Sequence, residues 1–134
     1  MLIIGHRGAM GHAPENTLAS FQKAIELGAD GIELDVYQTH DKKLVVIHNN
    51  YVGTTTNGHG LVEKMTLAEI KKLDAGSGHE IPTLEEVLDL FKQHDLVVNI
   101  ELKGEHTAGP TVRLIEEKKA VERVIVSSFL HHQG

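Results

Sequence analysis

Five short apolar runs, at residues 2–5, 31–37, 44–48, 96–102 and 123–128, are separated by stretches of helical period. That alternation confines the chain to strands and helices arranged around a parallel sheet. Between the first two runs, "PENTLASFQKAIELGAD" sets Leu18, Phe21 and Ile25 at spacings of three and four, with Gly28 placed to end a crossover helix. "TLAEIKKLD" and "PTLEEVLDLFKQHD" each open on a capping box, Thr66 with Glu69 and Thr83 with Glu86. The second of these carries Leu84, Val87, Leu88 and Phe91 along one face. A weaker helix is expected between Gly109 and Ala120, on Val112, Leu114 and Ile115. Residues 49–64, "NNYVGTTTNGHGLVEK", show little periodicity and read as a functional loop after the third strand.

At 134 residues and 40% hydrophobic content the sequence has the size and core material of one domain, spanning residues 1–134. The formal net charge of −6 and the lack of any basic cluster beyond Lys118 and Lys119 argue against nucleic acid as a partner. With no cysteine, disulfides and thiolate metal sites are both excluded, leaving oxygen and imidazole as ligands. No apolar run approaches the ~18 residues of a membrane span, and "MLIIGHRG" has no secretory pattern, so the expected location is cytoplasmic.

Side chains alternate faces along a strand, so "GIELDV" puts Glu33 and Asp35 on one side and Ile32, Leu34 and Val36 on the other. "VNIELK" repeats the arrangement, with Asn99, Glu101 and Lys103 sharing a side. Three carboxylates gathered on one face would repel each other unless a cation neutralised them. Mg²⁺ or Ca²⁺ suits such oxygen ligands. The structural alternative is that the acids pair with Lys103 or Arg7, or face solvent.

His6 and His48 close the first and third runs, "LIIGH" and "LVVIH". In a barrel of parallel strands both would fall on the carboxyl-terminal rim with Glu33, Asp35 and Glu101, where such folds place their sites. Two imidazoles there can act as general acid and general base near neutral pH. Arg7 and Lys103 would bring positive charge to the same rim, suiting a phosphate, or would balance the acids. The other histidines read as structural or exposed, with His59 in the long loop nearest a functional position.

An ordered set of segments then becomes specific: "HRG" at 6–8, "PENT" at 14–17, "GADGIELDV" at 28–36, "VVIH" at 45–48, "TTNGHG" at 55–60, "PTLEEVL" at 82–88, "NIELK" at 99–103 and "SSF" at 127–129. Together they make the chain resemble the glycerophosphodiester phosphodiesterase family. The resemblance implies a TIM (β/α)8 barrel, of which this chain would hold about the first five β/α units. It implies that His6 and His48 are the acid/base pair, that Glu33, Asp35 and Glu101 bind the metal, and that Arg7 and Lys103 contact phosphate. Glu15 and Asn16 would line the same mouth, Asn16 holding the loop near His6 or capping the helix. The implied reaction is metal-assisted cleavage of a glycerophosphodiester to sn-glycerol 3-phosphate and an alcohol.

Two positions depart from the family pattern: Asn49 stands where an Asp is usual after the second histidine, and Thr54 where an Arg is usual. A complete barrel takes ~250 residues, so an incomplete one is expected, either a fragment of a longer protein, a homo-oligomer that covers the open edges, or a partial domain with impaired activity. The alternative functions are a noncatalytic half-barrel that binds metal or phosphate, or assembles with another chain, and a lysophospholipase D-like enzyme.

Overall fold

The structure, a computed structural model, describes residues 4–6, 16–29, 31–54, 56–76, 78–92, 97–103, 107–117 and 124–128. The strands are β1 (Ile4–His6), β2 (Gly31–Gln38), β3 (Leu44–Val46), β4 (Val97–Leu102) and β5 (Val124–Ser128). Four of them lie side by side in the order β1-β2-β4-β5, and each neighbouring pair is parallel. Helices α1 (Leu18–Glu26), α3 (Leu84–Phe91) and α4 (Ala108–Glu117) occupy the three crossovers, while α2 (Leu67–Lys71) belongs to an excursion between β2 and α3.

Local chemistry sets the helix ends. Thr17 caps α1, its side chain accepting from the Ser20 N–H at 3.1 Å. At the other end Gly28 sits at φ 85°, where a side chain would be strained. Its N–H reaches Ile25 O and the Ala29 N–H reaches Ala24 O, both at 3.0 Å, closing the helix with a Schellman motif. Both expected capping boxes are present. In α3, Thr83 Oγ1 accepts from the Glu86 N–H at 3.1 Å and the Thr83 N–H donates to Glu86 Oε1 at 2.8 Å. Thr83→Ala removes the side-chain half of this exchange and is expected to lower stability by about 1 kcal/mol, read as a shift in the urea midpoint.

One face of the sheet is the main core. Ile32, Leu34 and Val36 of β2 and Val98, Ile100 and Leu102 of β4 are buried in one cluster with Phe21 and Ala24 of α1, the apolar face of α3 and Ile115 of α4. The Phe21 and Phe91 rings meet edge to face, centroids 5.7 Å apart. The opposite face of β2 and β4 therefore carries their polar residues, as the alternation predicts.

The expectation of five parallel β/α units is corrected by β3. It pairs antiparallel with β2, Val36 opposite Val46 and Gln38 opposite Leu44. The reason is chain length: only Thr39–Lys43 join the two strands, and a parallel return needs a crossover of a dozen or more residues. Because Val36 also pairs with Leu102 of β4, β3 must lie on the other edge of β2, the edge that β1 occupies lower down at Gly31–Glu33. The sheet thus contributes four parallel strands, and β3 extends one edge of β2 beyond the end of β1.

β3 is buried on both sides, which explains its unbroken apolar run. Leu44 and Val46 join the main core, whereas Val45 and Ile47 join a second cluster with Val52, Val62, Ile70, Ala75 and Ile81. This second core organises the excursion from residue 39 to 83. The loop expected over 49–64 holds two short 3-10 turns, Val52–Thr54 and Val62–Lys64. Backbone bonds from Val52 N–H to Gly60 O (3.0 Å) and from Val62 N–H to Asn50 O (2.7 Å) tie them together. His59 Nδ1 lies 3.2 Å from Tyr51 Oη on its exposed side. The Val46 N–H donates to Pro82 O at 2.9 Å, pinning the end of the excursion beside its beginning.

Candidate active site

Strand register brings the polar residues into rows. In one row His6 of β1 lies opposite Glu33 of β2, which lies opposite Asn99 of β4. In the next, toward the carboxyl ends, Asp35 is opposite Glu101, and Glu101 is opposite Ser127 of β5. Residues opposite one another in a parallel pair face the same side of the sheet, so Glu33, Asp35 and Glu101 share one surface. In the sequence Ser127 is only one residue of "SSF", and the β4/β5 register assigns it this position.

Asp35 is the centre of the arrangement and is completely buried. Its Oδ2 accepts a hydrogen bond from Asn16 Nδ2 at 3.2 Å and stands 3.2 Å from His48 Nδ1. His48 does not reach the rim as the end of a parallel strand. β1 climbs one edge of β2 and ends at His6, while β3 descends the same edge and delivers His48 just after the Ile47 N–H bonds to Asp35 O at 3.0 Å. Two chain ends approaching head-on thus carry the two histidine positions to neighbouring points on one edge.

Asn16 reaches Asp35 from the segment that enters α1. It does not cap that helix, since Thr17 does. Lys103 lies just past the end of β4, its N–H bonded to Val36 O at 2.8 Å and its Nζ 3.9 Å from Glu101 Oε2. Arg7 and Glu15 lie outside the described residues, and of His6 only the backbone position is described.

The electrostatics follow from crowding. Burial, then a hydrogen bond with Asp35 and the charges of Glu33 and Asp35, push the Glu101 carboxyl up from 4.5 to about 7, against the opposing pull of Lys103. A divalent cation would relieve that repulsion, and the hard oxygens of Glu33, Asp35 and Glu101 are the right donors for one. Among the described residues, no group of three or more His, Asp or Glu side chains already stands in position to share an ion. The acids fit a cation in kind, as hard oxygen donors on one face of the sheet.

A parallel β/α sheet with acids and a histidine gathered on one face matches the architecture of β/α-barrel proteins, which place their sites toward the carboxyl ends of the strands. The sequence model of the glycerophosphoryl diester phosphodiesterase family matches residues 6–131, and the chain belongs to that family. A glycerophosphodiester phosphodiesterase of Caldanaerobacter subterraneus subsp. tengcongensis is 50% identical, the match covering 98% of this chain and 59% of that protein. The crystal structure of a glycerophosphodiester phosphodiesterase from Agrobacterium tumefaciens superposes with a TM-score of 0.91 at 38% identity, over 96% of this chain and 58% of that one. An Oleispira antarctica phosphodiesterase in complex with the product sn-glycerol-3-phosphate gives a TM-score of 0.90 at 37% identity, over 96% of this chain and 57% of that one. The chain therefore spans less than two thirds of the length of these relatives. Among the described residues no helix is long and apolar enough to cross a membrane.

Proposed function

We propose that the chain carries the ion-binding and acid/base half of a glycerophosphodiester phosphodiesterase, which cleaves glycerophosphodiesters to sn-glycerol 3-phosphate and an alcohol. The observation that carries this reading is the meeting of His48, Asp35 and Glu101 on one polar surface at the carboxyl ends of β2 and β4. The relative solved with sn-glycerol-3-phosphate supports the choice of substrate.

Glu33, Asp35 and Glu101 would hold one Mg²⁺ or Ca²⁺. When bound, the ion supplies charge neutralisation for the phosphoryl oxygens. Lys103, together with Arg7, binds the anionic phosphate, and Glu15 and Asn16 line the mouth. His6 and His48 form the acid/base pair: one takes the proton of the neighbouring glycerol hydroxyl as it attacks phosphorus, and the other protonates the departing alcohol. Water then opens the cyclic phosphate. Residues 1–134 act in this reading as one portion of the family's barrel, and a second copy pairing at β1 or β5 would be seen as a doubled mass in solution.

Incubation with glycerophosphocholine tests the proposal, with Mg²⁺, with Ca²⁺ and with chelator, by assay of glycerol 3-phosphate. Product with ion and none with chelator is expected. Folded protein that yields no product with either ion would favour a noncatalytic, ion-binding half-barrel. Choline-bearing lysophospholipid as substrate separates a lysophospholipase D-like preference.

The Glu101 shift gives a pH dependence. Its carboxyl titrates near 7 in the folded chain and 4.5 when unperturbed, so between those values the folded state holds the extra proton. In the ion-free protein this group's contribution to stability falls as pH rises from about 4.5 to about 7, then levels off. An ion must displace that proton, so divalent-ion affinity is expected to rise over the same interval, as calorimetry at about pH 5.5 and about pH 8 would measure.

A further inference from the structure

Asn16 is buried, only 4% exposed, and its backbone adopts φ 53°, a left-handed conformation that costs a non-glycine residue energy. The neighbouring Thr17 performs the capping that an Asn in this place would ordinarily supply. The side chain is oriented for donation: Nδ2 bonds Asp35 Oδ2, while Oδ1 has no hydrogen-bond partner among the described residues. The acceptor oxygen is also the one that faces His48 Nδ1.

From this geometry we infer that Asn16 is a positioning residue for the ion site, fixing the rotation of the Asp35 carboxylate about its last torsion. A donor on one oxygen gives the buried carboxylate a preferred plane, beside the hydrogen bond between Asp35 and Glu101, and without that donor it can turn toward its other neighbours. Asn16 thus links the segment entering α1 to a ligand on β2 and, through the same oxygen, to His48. The inference rests on the proposal that Asp35 helps hold a divalent cation. Partners behind a ligand that set its orientation typically change metal affinity by about 10- to 100-fold when removed.

The test is calorimetric titration of metal-stripped protein with Mg²⁺ and with Ca²⁺, in the parent, in Asn16→Gly and in Thr17→Ala. Glycine keeps the left-handed backbone accessible and removes the side chain that carries the amide. N16G is expected to weaken ion binding by about tenfold or more, with a cooperative thermal melt retained. T17A is expected to lower the melting midpoint through loss of the cap and to leave ion affinity unchanged. If N16G does not melt cooperatively, N16S carries the same comparison. Parent protein that binds the ion beside an N16G or N16S that binds it equally well overturns the role of Asn16 alone. Parent protein that binds neither ion overturns the ion site itself, and this inference with it.

Discussion

Alanine at His48 is expected to slow release of glycerol 3-phosphate from glycerophosphocholine by about 10²- to 10⁴-fold, the usual worth of a positioned proton-transfer group. The fold should survive, because the His48 side chain is 27% exposed and belongs to neither apolar cluster. Ion affinity should change little, since the three carboxylates stay in place. Initial rates at saturating ion, with calorimetry on the same preparation, separate the two effects. A variant that keeps the parent rate would remove His48 from the acid/base pair.

The largest effect on stability is expected at Phe21. Its side chain is fully buried where α1, α3 and the sheet meet, with its ring edge-on to Phe91. Phe21→Ala removes both the buried area and the aromatic contact, and about 3–5 kcal/mol should be lost. Small domains have only about 5–15 kcal/mol in total, so the denaturant midpoint should fall by a large fraction of its value. Leu27→Ala, six residues on and 54% exposed, is the matched control and should stay within about 0.5 kcal/mol.

Much of this arrangement could be read from local chemistry. The amino ends of α2 and α3 and the carboxyl end of α1 follow from side chains legible in the sequence, because a capping box or a terminal glycine acts within four residues of itself. The acidic face was equally legible: strand alternation alone separates Glu33 and Asp35 from Ile32, Leu34 and Val36. The direction of β3 was not read from its residues, since an apolar run buried on both sides looks the same in a parallel strand and in one sandwiched between two cores. The informative signal lay in the five-residue link of Thr39–Lys43, which is too short for any parallel return. The bond from Asn16 to Asp35 spans 19 positions of sequence, and no local pattern announces a contact at that distance.

β3 alternates its side chains between two separate apolar clusters, Val46 in one and Val45 in the other, and this has a consequence for accuracy of assembly. A slip of one residue against β2 would exchange the two sets, forcing each cluster to accept the other's side chains. Both cores therefore veto the same error. Since His48 follows β3 by only two positions, the register lock that protects the interior also fixes where an imidazole stands beside Asp35.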